Sequence, residues 1–272
     1  SAYVLLHHVF GEIDGEKGAW GHAVGGMGSI TQLMKDVCET KGVEISTNAA
    51  VEKVLIKNNK AIGVMLEDGS EVFADKVISN LNPKLLFKKL VDRDEVDQEY
   101  RRKILNYKCG SGTFRMNVAL SELPDFNCLP EKDIGEHHKS GIVIAPSLTY
   151  MDQAFTDAKQ YGWSKNPIVE MLIPSTVDST LAPKGKHVAS LFCQQFAPTL
   201  PDNKSWHDEK TNAANTIIET VNKFAPNFKE SILGMSILSP LDLEEKLGLV
   251  GGDIMHGVMS LDQMWAARPV FN

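Results

Sequence analysis

The chain has 272 residues, of which 43% are hydrophobic and 23% charged, enough for a sizeable core in one large or two smaller domains. Its net charge is −7 and its lysines and arginines are scattered, which argues against a nucleic-acid binder, since such proteins cluster cations against phosphates. No apolar run approaches the roughly 20 residues of a membrane-spanning helix, and no signal-peptide pattern is present. We expect a cytoplasmic protein, or one that contacts a membrane only peripherally.

Residues 18–34, "GAWGHAVGGMGSITQLM", form a glycine-dense segment that leads into a predicted helix, with Ser29 as its cap and Gly42 as its stop. A dinucleotide fingerprint needs G-x-G-x-x-G directly after a strand. Here the third glycine is missing and the preceding segment has the composition of a loop. The spacing therefore favours a structural close approach over a phosphate cradle.

Residues 43–80 contain short β-rich runs, "VEIST", "AVEKVLIKNN", "KAIGVMLEDGS" and "EVFADKVISN". Turn signals at Asn58–Asn59 and Asp68–Gly69 separate them. The pattern predicts a strand, a β-meander and then a buried strand at "KVISN".

From residue 82 onward the pattern changes to helices and then long strands. Asn82 is a predicted cap with Pro83 at the first helical position, and a second helix is predicted over 94–105. The strands "GTFRMNVALSEL", "GIVIAPS", "PIVEMLIPST" and "KHVASLFCQQFAP" predict an antiparallel sheet with one buried face. A helix is predicted over 150–161, and a longer one begins with a capping-box pattern at Ser205 and Asp208.

Chemistry-bearing motifs are sparse. The four cysteines form no C-x-x-C pair and no histidine lies at zinc-ligand spacing, so a reducing compartment and no metal site are predicted. The pairs His7–His8 and His137–His138 are adjacent, and neighbours in a strand point to opposite faces. The carboxylates of "SPLDLEEKLG" are interpreted as a solvated helix face. His256, in the loop-like "GGDIMHGVMS", is a weak catalytic candidate, because a lone histidine is more often structural.

The order of these pieces resembles a known family. Residues 25–83 are similar to the middle of the phytoene desaturase-like FAD-dependent oxidoreductases, within the amine-oxidase-like flavoprotein class. The tail "GGDIMHGVMSLDQMWAARP" resembles the branch that contains pyridine nucleotide-disulfide oxidoreductase domain-containing protein 2. The resemblance implies an α+β or α/β fold: an antiparallel substrate-domain sheet with flanking helices, plus the central helix and β-meander of an FAD-binding domain.

The resemblance also implies domain bounds and site residues. Residues 1–24 would end a first substrate-domain segment, 25–82 would belong to the FAD-binding domain, 83–250 to the substrate domain, and 251–272 would return toward the FAD domain.

The resemblance implies that main-chain groups of Val51 help to hold the adenine of FAD, and that Gly25 and Gly26 let a helix and loop approach the flavin. His256 is expected near the flavin ring, and Arg268 as an anchor for loop or cofactor. The family's N-terminal G-x-G-x-x-G and its C-terminal flavin-covering element are missing from this sequence. We therefore expect a fragment that does not retain FAD by itself and that self-associates through the vacated surface.

Three functions stay open at this stage. The first is hydride transfer to or from flavin on an apolar, polyene or lipid-like substrate. The second is amine oxidation, disfavoured by 7% aromatic residues without an obvious pair. The third is a non-catalytic binding or assembly domain. The first is the predicted function, that of a parent FAD-dependent oxidoreductase to which this chain contributes mainly the substrate domain, and the chain by itself is expected to be inactive.

Overall fold

The computed structural model describes residues 10–18, 21–110, 112–131 and 133–270, so that His7 and His8 lie outside the described residues. Ten strands are present in that part. They are β1 Glu12–Ile13, β2 Glu16–Lys17, β3 Val51–Lys57, β4 Lys60–Leu66, β5 Glu71–Phe73, β6 Phe114–Leu120, β7 Ile142–Ile144, β8 Trp163–Leu172, β9 His187–Phe196 and β10 Ile232–Leu238.

Seven α-helices accompany the strands in the same described ranges. They are α1 Gly28–Thr40, α2 Pro83–Leu85, α3 Gln98–Leu105, α4 Leu148–Tyr161, α5 Trp206–Phe224, α6 Phe228–Ser231 and α7 Pro240–Leu247. A π-helical turn, Leu86–Leu90, continues α2, and several short 3-10 turns join the other elements. No helix in the described part combines the length and the hydropathy that a membrane crossing requires.

The largest sheet is antiparallel, with strand order β10-β6-β9-β8-β7. Along β6, Phe114, Met116, Val118 and Leu120 are buried on one face, as the alternating sequence predicts. This face packs against α5, which buries Ile217, Val221 and its small residues in the same apolar core. The mixed α and β fold with an antiparallel sheet and flanking helices is confirmed.

The second sheet is the predicted β-meander, β3-β4-β5. Asn58 and Asn59 both have positive φ, 52° and 58°, the left-handed conformation that a two-residue hairpin turn needs. At the next turn, Asp68 Oδ1 accepts a hydrogen bond from the amide of Ser70 at 2.9 Å, and Gly69 has φ 82°. Local turn chemistry therefore determines the two connections between the strands of this sheet.

Two strand predictions were wrong. Residues 43–47, "VEIST", have no strand, and β5 ends at Phe73, so "KVISN" (76–80) is not a strand either. Ile78 is 95% exposed rather than buried. A strand exists only through its ladder partners, and no described strand pairs with these two apolar runs.

Helix α1 is present as predicted, but its cap differs. The N-cap is Met27 without a side-chain hydrogen bond, whereas the Ser29 hydroxyl donates to the Gly26 carbonyl at 2.7 Å. None of its residues is buried, and its apolar stripe faces solvent, with Leu33 65% exposed. An amphipathic helix normally buries this stripe against another element. The described part of the chain supplies no such cover.

Helices α3 and α7 also differ in detail from the prediction. The predicted 94–105 helix is α3 preceded by a separate 3-10 turn, Arg93–Glu95. At α7, Asp242 is buried and completes a capping box with Ser239, so the interpretation of all these carboxylates as a solvated face was wrong for Asp242.

Candidate active site

A cavity of about 640 Å³ lies between the sheet, α4 and the segment that follows α7. Its size is typical of small-molecule sites. Apolar and aromatic side chains dominate its lining. Phe192, Gln194 and Phe196 come from β9, Phe155, Ala158 and Lys159 from α4, and Ile254, Met255, Val258 and Met259 from the C-terminal segment.

The cavity uses the face of the sheet opposite to the core. On β9, Leu191 and Cys193 are fully buried toward α5, so Phe192 and Gln194, which alternate with them, point the other way. Burial raises the pKa of the Cys193 thiol, which disfavours its reactive thiolate form. The sheet therefore has a packed face and a face that a ligand can reach.

Asp253 fixes the C-terminal wall of this cavity. Its side chain is fully buried, one carboxylate oxygen accepts from the amide of Gly110 at 2.9 Å, and the other accepts from the amide of Met255 at 3.0 Å. Gly112 forms a β-bridge with Asp253. The residues just before β6 and the wall after α7 thus form one unit.

Gly257 sits against the ring of Tyr107 so closely that a Cβ there would lie 2.0 Å from the Tyr107 hydroxyl. The Arg268 guanidinium carbon is 5.7 Å from the centre of the same ring, and the guanidinium donates to the carbonyls of Met255 and Gly257. Burial raises the pKa of Tyr107, although the charge of Arg268 opposes this shift.

His256 and Arg268, the two predicted catalytic residues, lie in this segment but differ in surroundings. His256 is exposed, has φ 56° in the turn after Asp253, and is not among the side chains that line the cavity. The Arg268 guanidinium donates to the carbonyls of Met255 and Gly257 and so anchors the loop that carries them. The proximity of either residue to a flavin stays a prediction.

Gly25 and Gly26 both have positive φ, 83° and 85°, as a tight loop before α1 requires. The amide of Gly25 donates to the carboxylate of Asp178 at 2.7 Å, and the amide of Gly26 donates to the Ala23 carbonyl at 2.9 Å. A Cβ on Gly26 would lie 3.4 Å from Leu181. These two amides are already used within the protein, which fits a close approach rather than a phosphate cradle.

Val51, the predicted adenine contact, begins β3 and is half-buried opposite Leu66 in β4. The described residues place it in the meander, while the cavity lies on the five-stranded sheet. Val51 and the cavity therefore belong to different sheets. The role of Val51 toward FAD stays a prediction.

The histidine pair His137–His138 lies in a 3-10 helix rather than a strand, with ring centroids 3.9 Å apart. His138 is fully buried, its Nδ1 accepts from the amide of Gly135, and its Nε2 lies 2.9 Å from the Pro124 carbonyl. Within the described ranges, no group of three histidine, cysteine or carboxylate side chains could hold a metal ion.

Sequence reasoning missed Asp178 and Asp253, the carboxylates that hold the two loops, and Phe155 and Phe192 in the cavity. Each aspartate stands among small or turn-forming residues, in "TVDST" and "GGDIM", which was the available signal. The aromatic pair carries no local signal, since only the sheet brings the two residues together.

Comparisons with known proteins bear on the family and the fold of this chain. Residues 1–114 match the model of the flavin containing amine oxidoreductase family. The crystal structure of an oxidoreductase from Methanosarcina mazei superposes with a TM-score of 0.56 at 21% identity, over 79% of this chain and 43% of that one, which shows a shared fold. The chain belongs to the amine-oxidase-like class of FAD-dependent oxidoreductases.

Within that class, the chain is 38% identical over 276 residues to mouse Pyridine nucleotide-disulfide oxidoreductase domain-containing protein 2, covering 99% of this chain and 48% of the mouse protein. It is also 26% identical over 232 residues to the chloroplastic Prolycopene isomerase of Daucus carota, covering 84% of this chain and 34% of that relative. The chain thus spans about half the length of the mouse relative and about a third of the length of the carrot relative. The family recognised from the sequence is confirmed.

Proposed function

We propose that this chain supplies the substrate-binding part of an FAD-dependent oxidoreductase that acts by hydride transfer on an apolar, polyene or lipid-like substrate. The observation that carries the proposal is the cavity on the open face of the sheet, which is lined mainly by apolar and aromatic side chains. A relative named for prolycopene, which is 26% identical, supports the same substrate class.

In this class the redox chemistry belongs to the flavin, and the protein binds, orients and desolvates the substrate. In this chain Phe155, Phe192 and Val258 would contact the substrate and exclude water. Asp253 and Arg268 would keep the C-terminal wall in position through their contacts with Gly110 and the Met255 carbonyl.

We also propose that this chain alone does not retain FAD. The amides of Gly25 and Gly26 are hydrogen-bonded within the protein, and the apolar stripe of α1 faces solvent.

A second proposal concerns the apolar stripe of α1: because it is uncovered, it makes the isolated chain self-associate. This feature is the specific support for the alternative of a binding or assembly domain.

Amine oxidation by the same fold is the other alternative. That reaction would use two facing aromatic rings, and Phe155 and Phe192 are the candidates in the cavity. The ring pairs found in the described part of the chain do not include these two. Hydride transfer on an apolar substrate is therefore preferred over amine oxidation.

The test is the visible absorbance of the purified chain after incubation with FAD and desalting, beside a longer form that covers the full length of the mouse relative. We expect yellow flavin in the longer form alone. Flavin in neither form would overturn the oxidoreductase proposal, and flavin in this chain would overturn the proposal on retention.

A further inference from the structure

Arg115 places a positive charge on the open face of the sheet, next to the apolar cavity. It stands on β6 directly opposite Phe192 of β9, and Phe192 stands opposite Glu170 of β8. Phe192 also lines the cavity. Along the row Arg115–Phe192–Glu170, a guanidinium and a carboxylate therefore flank an aromatic ring that a ligand can touch.

The guanidinium of Arg115 has little protein to bind. Its Nη2 donates to the Ser190 hydroxyl at 3.0 Å, and its Cζ lies 5.4 Å from the centre of the Phe192 ring. A guanidinium carries five N–H donors. None of the ion pairs found among the described residues involves Arg115, although Glu170 lies two strands away on the same face.

A half-buried cation without an ion pair has a desolvation cost that an anion would offset. Consistently, burial lowers the pKa of Arg115, with the charge of Glu170 acting in the opposite direction. Phe192 gives the guanidinium an apolar neighbour and one weak cation–π contact. The planar fork of arginine matches a carboxylate through two parallel hydrogen bonds.

The geometry of β9 connects this cation to the cavity. Gln194 and Phe192 line the cavity, and Ser190, the hydrogen-bond partner of Arg115, follows on the same face. At about 3.3 Å per residue, the four-residue step from Gln194 to Ser190 is about 13 Å. A medium-length apolar chain can span that distance with one end in the cavity and the other at Arg115.

We propose that Arg115 binds the carboxylate of an amphipathic substrate whose apolar chain occupies the cavity against Phe192. This proposal rests on the proposed function and narrows it, since the substrate is then a carboxylate-terminated apolar molecule rather than a pure hydrocarbon. Ser190 holds the guanidinium in place, and Phe192 contacts the carbons next to the carboxylate.

The test compares dodecanoate with dodecanol, probes that share an apolar chain and differ in the charge of the head group. Binding is measured by tryptophan fluorescence at a pH of about 8, where the carboxylate is ionised. We expect the chain to bind dodecanoate about tenfold more tightly than dodecanol, the effect of a charge-assisted hydrogen-bond pair.

The Arg115→Gln variant should lose this preference while its affinity for dodecanol stays unchanged, and Arg115→Lys should retain part of it. Arg102→Gln, at an exposed arginine on α3, is the matched control and should behave as the unaltered chain. Val258→Phe, which narrows the cavity without adding a fluorescent tryptophan, should weaken the binding of both probes. Circular dichroism would show that each variant is folded.

Two outcomes separate this inference from the proposed function. Equal affinity for both probes, or an unchanged preference in Arg115→Gln, would overturn the role of Arg115 and leave the apolar cavity standing. Binding of neither probe, or binding that Val258→Phe leaves intact, would contradict the cavity as a substrate site and the proposed function with it.

Discussion

The carboxylate of Asp178 accepts a hydrogen bond from the backbone amide of Gly25 at 2.7 Å, across 153 residues of sequence. The other carboxylate oxygen accepts from the amide and the hydroxyl of Thr180, at 2.9 and 2.7 Å. Asp178 is nearly inaccessible to solvent. One side chain therefore joins the loop before α1 to the turn Ser179–Leu181 that precedes β9.

Asp178→Ala should release the Gly25 loop while leaving the five-stranded sheet folded. We expect the amide of Gly25 to exchange its hydrogen about tenfold faster or more, because it loses its acceptor. Hydrogen exchange followed by mass spectrometry or NMR measures this directly. Asp152→Ala, at an exposed aspartate on α4, is the control, and equal exchange in both variants would contradict the role of Asp178.

The same bond should depend on pH. The hydrogen bonds from Thr180, followed by that from Gly25, lower the pKa of Asp178 below its usual range. A carboxyl with a lowered folded-state pKa stabilises the fold above its unfolded pKa of about 4, and this contribution is lost as the pH falls through the folded value. Gly25 exchange should thus accelerate only in acid, after correction for intrinsic rates.

Local signals predicted those parts of the fold that local chemistry determines. Asn58–Asn59 and Asp68–Gly69 specify the turns of the meander, and Asn82 with Pro83 specifies the start of α2, where the Asn82 side chain accepts from the amide of Lys84. By contrast, "KVISN" has the composition of a buried strand but no described partner. A strand prediction fails where the partner that would complete it is missing.

The candidate site was the least predictable part, since it depends on tertiary contacts. Gly25 was selected by resemblance, but its partner Asp178 is distant in sequence. Phe155 and Phe192 reach one cavity from a helix and a strand, and no periodicity relates them. Arg115 could be placed on an alternating strand, yet its open face emerges only once α5 is seen to cover the other one.

Gly257→Ala should destabilise the C-terminal wall of the cavity. The added Cβ would lie 2.0 Å from the Tyr107 hydroxyl, and φ at this position is 143°. We expect a loss of about 2 kcal/mol in the free energy of unfolding, typical of overpacking. Urea denaturation monitored by circular dichroism measures it.

Gly185→Ala is the matched control for this change, because Gly185 also has positive φ, 74°, but has no atom within 4 Å of an added Cβ. Gly185→Ala should lose only about 1 kcal/mol of unfolding free energy, the cost of placing a side chain on a backbone with positive φ. Equal losses in the two variants would show that the contact between Gly257 and Tyr107 contributes nothing.

Asp242→Asn should weaken the junction of α5 and α7. The buried carboxylate pairs with Lys210 at 3.3 Å and Lys246 at 2.8 Å, and it accepts from the amide and hydroxyl of Ser239. The carboxylate is buried but both lysines are partly exposed, so no charge is left buried, and we expect the loss of charge-assisted hydrogen bonds to cost about 2 kcal/mol. Glu39→Gln removes the exposed pair with Lys35 on α1 and should cost about 0.3 kcal/mol. Similar losses in both variants would contradict this account.

The contribution of Asp242 should also disappear in acid. Burial raises its pKa, but the hydrogen bonds from Lys246, Ser239 and Lys210 together lower it well below the usual range. Its stabilisation is therefore complete above the unfolded pKa of about 4 and is lost as the pH falls through the folded value. The difference in stability between the unaltered chain and Asp242→Asn should shrink on acidification, which urea titrations at several pH values would measure.

The uncovered stripe of α1 should make the isolated chain self-associate. Leu33 and Val37 are 65% and 53% exposed on one helix face, and contiguous apolar surface of this kind favours association. Sedimentation velocity should show a concentration-dependent increase in mean mass. The double variant Leu33→Lys/Val37→Lys should reduce this association, because lysine ammonium groups on that face must remain hydrated.

The control is the double variant Leu148→Lys/Leu247→Lys, which adds the same charge at exposed leucines on α4 and α7 and should leave association unchanged. A chain that stays monomeric over the whole concentration range would contradict the proposal. Association that both double variants reduce equally would show that net charge, rather than the α1 stripe, controls it.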